Sequence, residues 1–205
     1  MTKDEQDVSG DTFSMINLQS GELLMALSDG MGSGTSALDE SKNVIELLEQ
    51  MSEAGFSQTS AIRLINSLYM SDQEFESYAT LDISLINLYK GECSFLKNGA
   101  VGTYILNQGK MYCIEGQSLP MGVIGEAEPY IGKMNIYSGD YIIMMTDGVA
   151  DMFSDEKYNL EKYIGQIDAV NPGDMAQAIV DEAVRRNSGY ISDDMSVIVA
   201  GVWEN

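Results

Sequence analysis

The amino-acid sequence predicts an α+β fold in which helices pack outside antiparallel sheets. The order of its segments is one reason, since apolar strands with glycine turns alternate with amphipathic helices as strands, helices, strands, helices, strand. Its length is another, because 205 residues suffice for a single domain with a substantial core. Composition agrees, with 44% hydrophobic and 21% charged residues, which is typical of a globular protein.

The chain begins with a predicted hairpin and a glycine-rich segment. Phe13 to Leu18 and Glu22 to Ser28 contain the apolar and β-prone residues of two strands, joined by a glycine turn at 19–21. The glycine-rich stretch 30–34 follows and leads into a helix.

Two amphipathic helices are predicted next. The first runs from about Thr35 or Ser36 to Ala54 and stops at Gly55, and the second runs from about Thr59 to Met70. Their short connection predicts an antiparallel helical layer. The residues expected to be buried recur at helical spacing: Val44, Leu47, Leu48 and Met51 in the first helix, and Ala61, Ile62, Ile65, Leu68 and Tyr69 in the second.

The middle third of the sequence predicts short strands separated by glycines, which is the pattern of an antiparallel meander. These strands are Leu81 to Tyr89, Cys93 to Lys97, Tyr104 to Leu106 and Met111 to Ile114. A strongly apolar strand, Tyr141 to Thr146, ends at Asp147-Gly148.

The C-terminal part predicts two helices and a closing strand. The helices lie near Leu160 to Ile167 and near Asp174 to Asn187, and Pro172 and Gly189 bracket the second one. Met195 to Val202 forms the final strand. The longer helix is expected to bury Ala176, Ile179, Val180, Ala183 and Val184.

Charge and residue usage exclude several classes of function. The formal net charge of −21 opposes binding to nucleic acid or to an anionic membrane surface. The absence of histidine excludes Ser-His-Asp and Cys-His catalysis and histidine metal sites. Cys93 and Cys113 are expected to be free thiols, and neither a signal peptide nor an apolar run of membrane-spanning length is present. The sequence therefore predicts a cytoplasmic chain that makes no membrane contact.

Four aspartates occur at predicted strand ends: Asp11, Asp29, Asp147 and Asp193. Converging strand ends would bring their carboxylates into one cleft. Such a cluster without His or Cys suits Mg²⁺ or Mn²⁺, which prefer oxygen ligands. Glycine after Asp29 allows a close backbone approach, so the Gly30 carbonyl is a further candidate ligand.

Each of these elements has a simpler explanation, because an Asp-Gly pair is most often a turn. The glycine stretch could also belong to a dinucleotide fold. However, Thr35 occupies the third fingerprint position, and no Gly-Lys-Ser/Thr follows for a phosphate-binding loop. The four aspartates taken together favour a metal site.

The order of the motifs along nearly the whole chain resembles the PPM (protein phosphatase 2C) superfamily, and within it the sporulation phosphatases of bacteria. The matching segments are V-S-G-D ending at Asp11, S-D-G-M-G-x-G starting at Ser28, T-L-D-x-S at Thr80 to Ser84, L-P-x-G at Leu119 to Gly122, M-M-T-D-G at Met144 to Gly148, and D-D-M-S-V-I-V at Asp193 to Val199.

The resemblance implies a PPM-type antiparallel β-sandwich flanked by helices, with two Mn²⁺ or Mg²⁺ ions at one edge. Asp29 would bridge the ions and Gly30 would ligate one through its carbonyl. Asp147 and Asp193 would hold one ion, and Asp11 would bind the other directly or through a water. A water activated by both metals would then hydrolyse a phosphoserine or phosphothreonine ester. Asp194 would be structural, although the two adjacent aspartates could exchange roles.

The resemblance also implies a substrate and a context. The substrate would be a phosphorylated anti-anti-sigma-type protein in bacterial sigma-factor regulation, and a homodimer could form through helices within 37–70. Relatives of this kind have a further strand upstream, so residues 1–205 would be one domain excised from a longer protein, with any membrane anchor in its other part. The alternative is a PPM-fold regulatory or binding module with little or no catalysis.

Three positions depart from the pattern of eukaryotic relatives. Met31 stands where they have a histidine, a plausible general acid. No clear match to their phosphate-binding arginine is found, and the nearest upstream base is Lys3. Ala100 replaces an aspartate that some relatives use for a third metal.

Overall fold

The computed structural model describes residues 1–71, 78–125, 128–154, 159–168 and 170–203. Within these residues the chain forms two antiparallel sheets and five α-helices, which confirms the predicted α+β class. The strands are β1 (Asp11–Asn17), β2 (Glu22–Asp29), β3 (Leu81–Asn87), β4 (Glu92–Asn98), β5 (Thr103–Asn107), β6 (Lys110–Ile114), β7 (Tyr130–Asn135), β8 (Tyr141–Met145) and β9 (Val197–Gly201). The helices are α1 (Gly34–Glu53), α2 (Gln58–Ser71), α3 (Asp147–Ala150), α4 (Leu160–Ile164) and α5 (Pro172–Arg186), and a 3-10 turn spans Asp151–Phe153.

The chain divides into two compact units. One contains residues 8–100 and 116–135, and the other contains residues 1–7, 101–115 and 136–205. The first holds a sheet in the order β1-β2-β3-β4-β7 and is called the five-stranded unit below. The second holds a sheet in the order β6-β5-β8-β9 and is called the four-stranded unit.

In the five-stranded unit, α1 and α2 cover one face of the sheet. The two helices run antiparallel as predicted, because the Tyr69 hydroxyl near the end of α2 donates to the Glu40 carbonyl near the start of α1 at 2.7 Å. The core beneath them is apolar and fully buried: Leu24, Ala26, Val44, Leu48, Ala61, Ile62, Ile65, Leu81 and Ile83.

One residue of the α2 pattern was assigned wrongly. Leu68 is 52% exposed, whereas Asn66 is buried. The Asn66 amide donates to the Ile124 carbonyl at 2.9 Å, and its oxygen accepts from the Gly122 N–H at 2.9 Å. These hydrogen bonds satisfy a buried polar group and rotate the inward face of α2 away from Leu68.

In the four-stranded unit, α5 packs on β9 and supplies the buried Met175, Ile179 and Ala183. The Asn171 side chain caps the helix by accepting from the Asp174 N–H, and Pro172 occupies its first turn. The helix starts two residues earlier and ends one residue earlier than predicted, and it buries Met175 where Ala176 was expected.

The predicted meander is wrong as a single sheet. The β3–β4 and β5–β6 hairpins form as expected, but β4 and β5 belong to different sheets. The chain leaves the first sheet at Gly99, whose φ of +66° ends the extended run. Tyr130–Asn135 pairs with β4 instead, a strand for which no prediction was made.

A buried carboxylate anchors each unit. In the five-stranded unit, Asp82 and Lys97 face each other across β3 and β4 and form a fully buried ion pair at 2.8 Å. In the four-stranded unit, the buried Asp140 carboxylate accepts from the Gln108 N–H at 2.8 Å, the Tyr137 N–H at 2.7 Å and the Asn107 amide.

Across the described ranges, none of the helices combines the length and the hydropathy required of a membrane span.

Candidate functional site

Asp11 and Asp29 form one pair of carboxylates. They lie directly opposite each other where β1 begins and β2 ends. Residues opposite each other in an antiparallel pair have Cβ atoms about 4.5–5.5 Å apart and point to the same face, and like charges in such positions repel. Strand register therefore fixes two acidic groups at a spacing that a shared cation would stabilise.

The backbone after Asp29 is held tightly. The Gly30 N–H donates to the Gly10 carbonyl at 3.3 Å, and the Met31 N–H donates to the Tyr78 carbonyl at 2.9 Å. A Cβ at Gly30 would lie 1.9 Å from the Ala37 carbonyl oxygen in the first turn of α1. This contact with backbone explains why glycine follows Asp29.

Asp147 and Asp193 form the other pair. Asp147 is the first residue of α3 and is separated from the end of β8 by Thr146 alone. A Cβ at Gly148 would meet the Asp194 carbonyl oxygen at 2.2 Å and the Asp193 Cβ at 3.2 Å, so this turn lies against the Asp193–Asp194 segment. Loss of hydration raises the pKa of Asp147, although the side chain keeps an exposed face, and the charge of Asp193 raises it further.

Asp193 and Asp194 have different surroundings. Asp194 is buried, and its Oδ1 accepts from the Lys3 N–H at 2.8 Å. Its own N–H donates to Asp193 Oδ1 at 3.0 Å. Asp194 thus holds the N-terminal segment through a hydrogen bond, while Asp193 is the aspartate whose charge raises the pKa of Asp147. Lys3, the base nearest to the first motif, contributes its backbone to this contact.

Among the described residues, no group of three or more His, Cys, Asp or Glu side chains is arranged to hold a metal ion. The structure therefore presents the four predicted aspartates as two pairs, one in each unit. It places Met31, one of the departures from the eukaryotic pattern, 57% exposed to solvent.

Two hydroxyl groups beside the pairs were missed at the sequence level. The Asp29 N–H donates to Thr80 Oγ1 at 3.0 Å, and the Ser196 N–H donates to Thr146 Oγ1 at 3.0 Å. Both threonines lie in recognised motifs, T-L-D-x-S and M-M-T-D-G. The sequence feature that could have revealed them is a threonine at the end of an apolar strand, since such a hydroxyl commonly forms a local hydrogen bond with the backbone.

Comparison with known proteins shows the relationship of the whole chain. The family described as "Stage II sporulation protein E (SpoIIE)" matches residues 19–203. The chain is 37% identical over 201 residues to a stage II sporulation protein E from Priestia megaterium. The match covers 97% of this chain and 34% of that relative, so the chain spans about a third of its length.

Solved structures confirm the PP2C-type fold. The PP2C phosphatase domain of SpoIIE from Bacillus subtilis, solved with a fragment of its regulatory domain, superposes with a TM-score of 0.89 and 34% identity. The match covers 98% of this chain and 60% of that one. RsbX in complex with magnesium superposes with a TM-score of 0.73 at 20% identity, covering 97% of this chain and 90% of that one, which shows a shared fold.

Proposed function

The chain belongs to the stage II sporulation protein E family, and from that premise we propose that it is an Mn²⁺- or Mg²⁺-dependent phosphatase acting on phosphoserine in an anti-anti-sigma-type regulator. The family is one of PP2C-type serine/threonine phosphatases. The observation that supports the proposal best is the pairing of acidic side chains, Asp11 with Asp29 and Asp147 with Asp193.

The donor set of each pair fits a hard divalent cation. Octahedral Mg²⁺ keeps several waters and uses one or two carboxylates, so a pair of aspartates is sufficient protein ligation for one ion. Both pairs contain like charges that a cation would neutralise. The magnesium complex of RsbX, a protein of the same fold, supports a divalent ion for this fold.

In this proposal, Asp11, Asp29, Asp147 and Asp193 supply carboxylate ligands. Asp11 and Asp29 would hold one ion in the five-stranded unit, and Asp147 and Asp193 would hold one in the four-stranded unit. The Gly30 carbonyl would be a further ligand, and the closeness of Ala37 leaves no room for a side chain at Gly30. When bound, the ions supply positive charge for the phosphoryl oxygens and lower the pKa of the attacking water. The role of the protein is to orient its four carboxylates.

Family membership supports a phosphoprotein as the substrate. The Bacillus subtilis relative is described as a cell fate determinant, which is a signalling role rather than a metabolic one. A phosphoserine on a small bacterial regulator, hydrolysed in the cytoplasm, is consistent with that role.

The helical layer is our candidate for a homodimer contact within 37–70. Leu64 and Leu68 of α2 are 44% and 52% exposed. A hollow of about 310 Å³ between α1 and α2 is lined by Leu47, Leu68 and Tyr69 together with polar side chains. Sedimentation of the wild type and of Leu68→Glu tests this contact, since a dimer through α2 would dissociate in the variant.

The test of the enzyme is hydrolysis of a phosphoserine peptide with and without Mn²⁺. We expect metal-dependent hydrolysis that falls by at least about 100-fold in Asp29→Asn and in Asp147→Asn, one variant from each unit. Asp181→Asn, an exposed carboxylate on α5, is the matched control and should keep full activity.

The same experiment separates the alternative, a non-catalytic PPM-fold binding module. Hydrolysis at the same rate in both aspartate variants would exclude the proposed ligands. A wild-type chain that binds Mn²⁺ but shows no hydrolysis would favour the binding module.

A further inference from the structure

An unusual hydrogen bond occurs at Asp29, the last residue of β2. The register that pairs Leu27 with Asp82 also places Asp29 opposite Thr80. The Thr80 N–H donates to the Asp29 carbonyl at 2.8 Å, as in an ordinary antiparallel pair. The return bond differs, because the Asp29 N–H donates to the Thr80 hydroxyl oxygen at 3.0 Å. The Thr80 carbonyl accepts instead from Ser28 Oγ at 2.7 Å.

The same arrangement occurs in the four-stranded unit, beside the other aspartate pair. The Thr146 N–H donates to the Ser196 carbonyl at 3.1 Å, and the Ser196 N–H donates to the Thr146 hydroxyl oxygen at 3.0 Å. The Thr146 carbonyl accepts from Val149 and Ala150 in α3, at 3.1 and 3.2 Å.

In both places a threonine hydroxyl takes the position of a backbone carbonyl. The freed carbonyl binds elsewhere, and the strand partner keeps its hydrogen bond. After Thr146 the chain leaves the sheet and begins α3, whereas beside Thr80 the pairing continues with Gly30 opposite Ala79. At Thr80 this holds the backbone N–H of Asp29 itself. At Thr146 it ties the residue before Asp147 to the segment after Asp193, and the hydroxyl also donates to the Asp194 carbonyl at 3.4 Å.

A hydroxyl on a β-branched side chain suits this task. Branching at Cβ restricts χ1, so the oxygen stays in one place. The aspartates of each pair repel each other, and a rigid backbone keeps them close despite that repulsion. Valine has the same shape without the oxygen, so Thr→Val would leave a backbone N–H without its acceptor.

We propose that Thr80 and Thr146 are positioning residues, whose hydroxyls fix the backbone at Asp29 and Asp147 so that each carboxylate pair is preorganised for its cation. This inference rests on the proposed function for the identity of the ligand. It assigns the two threonines no contact with substrate. Groups that orient metal ligands typically change metal affinity by about 10–100-fold when they are removed.

The first experiment needs no metal. Amide hydrogen exchange at Asp29 and Ser196 is measured by NMR in the metal-free protein. Thr80→Val should speed exchange at Asp29 about tenfold, and Thr146→Val should do the same at Ser196. Thr80→Ser and Thr146→Ser retain the hydroxyl and should stay near the wild type. Thr59→Val on α2 controls for the substitution itself. Unchanged exchange in both valine variants overturns the proposal.

The second experiment measures Mn²⁺ affinity by calorimetry on the same proteins. The valine variants should bind about 10–100-fold more weakly, with the serine variants restored to within about threefold. Normal binding by both valine variants overturns the positioning role and leaves the phosphatase proposal intact. A wild type that neither binds Mn²⁺ nor hydrolyses phosphoserine overturns both. Should a valine variant not fold, Thr→Ala at that position replaces it.

Discussion

The two units hold their aspartate pairs by different means. In the five-stranded unit, Asp11 and Asp29 are opposite residues of a regular ladder, so the register of β1 and β2 alone sets their spacing. In the four-stranded unit, Asp147 starts a short helix and Asp193 lies in a loop, held by the close approach of Gly148 to Asp194. A regular strand pairing and an irregular turn thus each bring two carboxylates close together.

The buried carboxylates outside the pairs also differ between the two units. Asp82 is neutralised by a full positive charge on Lys97, whereas Asp140 is stabilised by neutral amide donors. Removing one member of a buried ion pair leaves an uncompensated charge, whereas removing an acceptor leaves only unsatisfied dipoles. The two units should therefore respond to mutation with different magnitudes.

The largest effect is expected at Lys97. Lys97→Met leaves the Asp82 carboxylate buried without its cation, which should cost about 3–5 kcal/mol of unfolding free energy. Urea unfolding at neutral pH measures it. The double variant Asp82→Leu/Lys97→Met removes both charges and should recover most of the loss. A single variant as stable as the wild type would show that the ion pair does not anchor the five-stranded unit.

Metal binding should stabilise the protein through both pairs. At a free Mn²⁺ concentration about 100 times the dissociation constant, one bound ion adds about 2.7 kcal/mol to the unfolding free energy. Asp29→Asn and Asp147→Asn should each reduce this gain, while Asp181→Asn should keep it. Thermal unfolding with Mn²⁺ and with a chelator measures the difference. If only one of the two variants loses this Mn²⁺-dependent stabilisation, metal binding is restricted to the unit that contains the substituted aspartate.

The sequence predicted the regular part of this comparison better than the irregular part. The strands and turn that place Asp11 opposite Asp29 follow from local patterns of apolar residues and glycine. The split of β4 and β5 into different sheets does not, because strand pairing over a long sequence separation depends on tertiary packing. The exposed Leu68 was missed for a related reason, since the polar contacts of Asn66 decide which face of α2 turns inward.

The motifs single out four aspartates as candidate ligands, which stays a prediction, and they do not indicate how each aspartate is held. The pairing of Asp147 with Asp193 depends on backbone contacts of Gly148, to which spacing along the chain gives no access. The hydrogen bonds accepted by the Thr80 and Thr146 hydroxyls depend on which residues lie opposite each other just outside the strands, and this cannot be read from the sequence. Adjacent Asp193 and Asp194 are distinguished only by burial and by the Lys3 backbone.

A smaller effect is expected at Asp140. Asp140→Ala removes the acceptor of the Gln108 and Tyr137 N–H groups and should cost about 1–3 kcal/mol. Asp140→Asn keeps one acceptor oxygen and should cost less. Urea unfolding of both variants at pH 7 shows which one loses more unfolding free energy. A cost for Asp140→Ala equal to that of Lys97→Met would mean that charge compensation is not what distinguishes the two anchors.

The smallest effect is expected on the helices, where Glu182 forms an ion-pair cluster with Arg185 and Arg186. Glu182 of α5 accepts from Arg185 at 2.7 Å and from Arg186 at 2.9 Å, and these contacts, with that of Arg185 the largest, lower the pKa of Glu182 to about 2. Arg186 also lies over the Phe153 ring at 4.2 Å, so the cluster connects α5 to the turn after α3.

A lowered pKa means that the folded protein favours the ionised form. The resulting stability is present above the ordinary pKa of about 4.5 and is lost as the pH falls from there towards 2. Wild type should exceed Glu182→Gln by about 0.5–1 kcal/mol at pH 7, and the difference should shrink below pH 4.5. The control is Glu46→Gln on α1, because the Lys42–Glu46 pair is exposed and 3.7 Å long. Urea unfolding of all three proteins at pH 7 and pH 3 gives the comparison. A Glu182→Gln difference that does not change with pH would mean that packing, and not the charge of Glu182, connects α5 to its neighbouring turn.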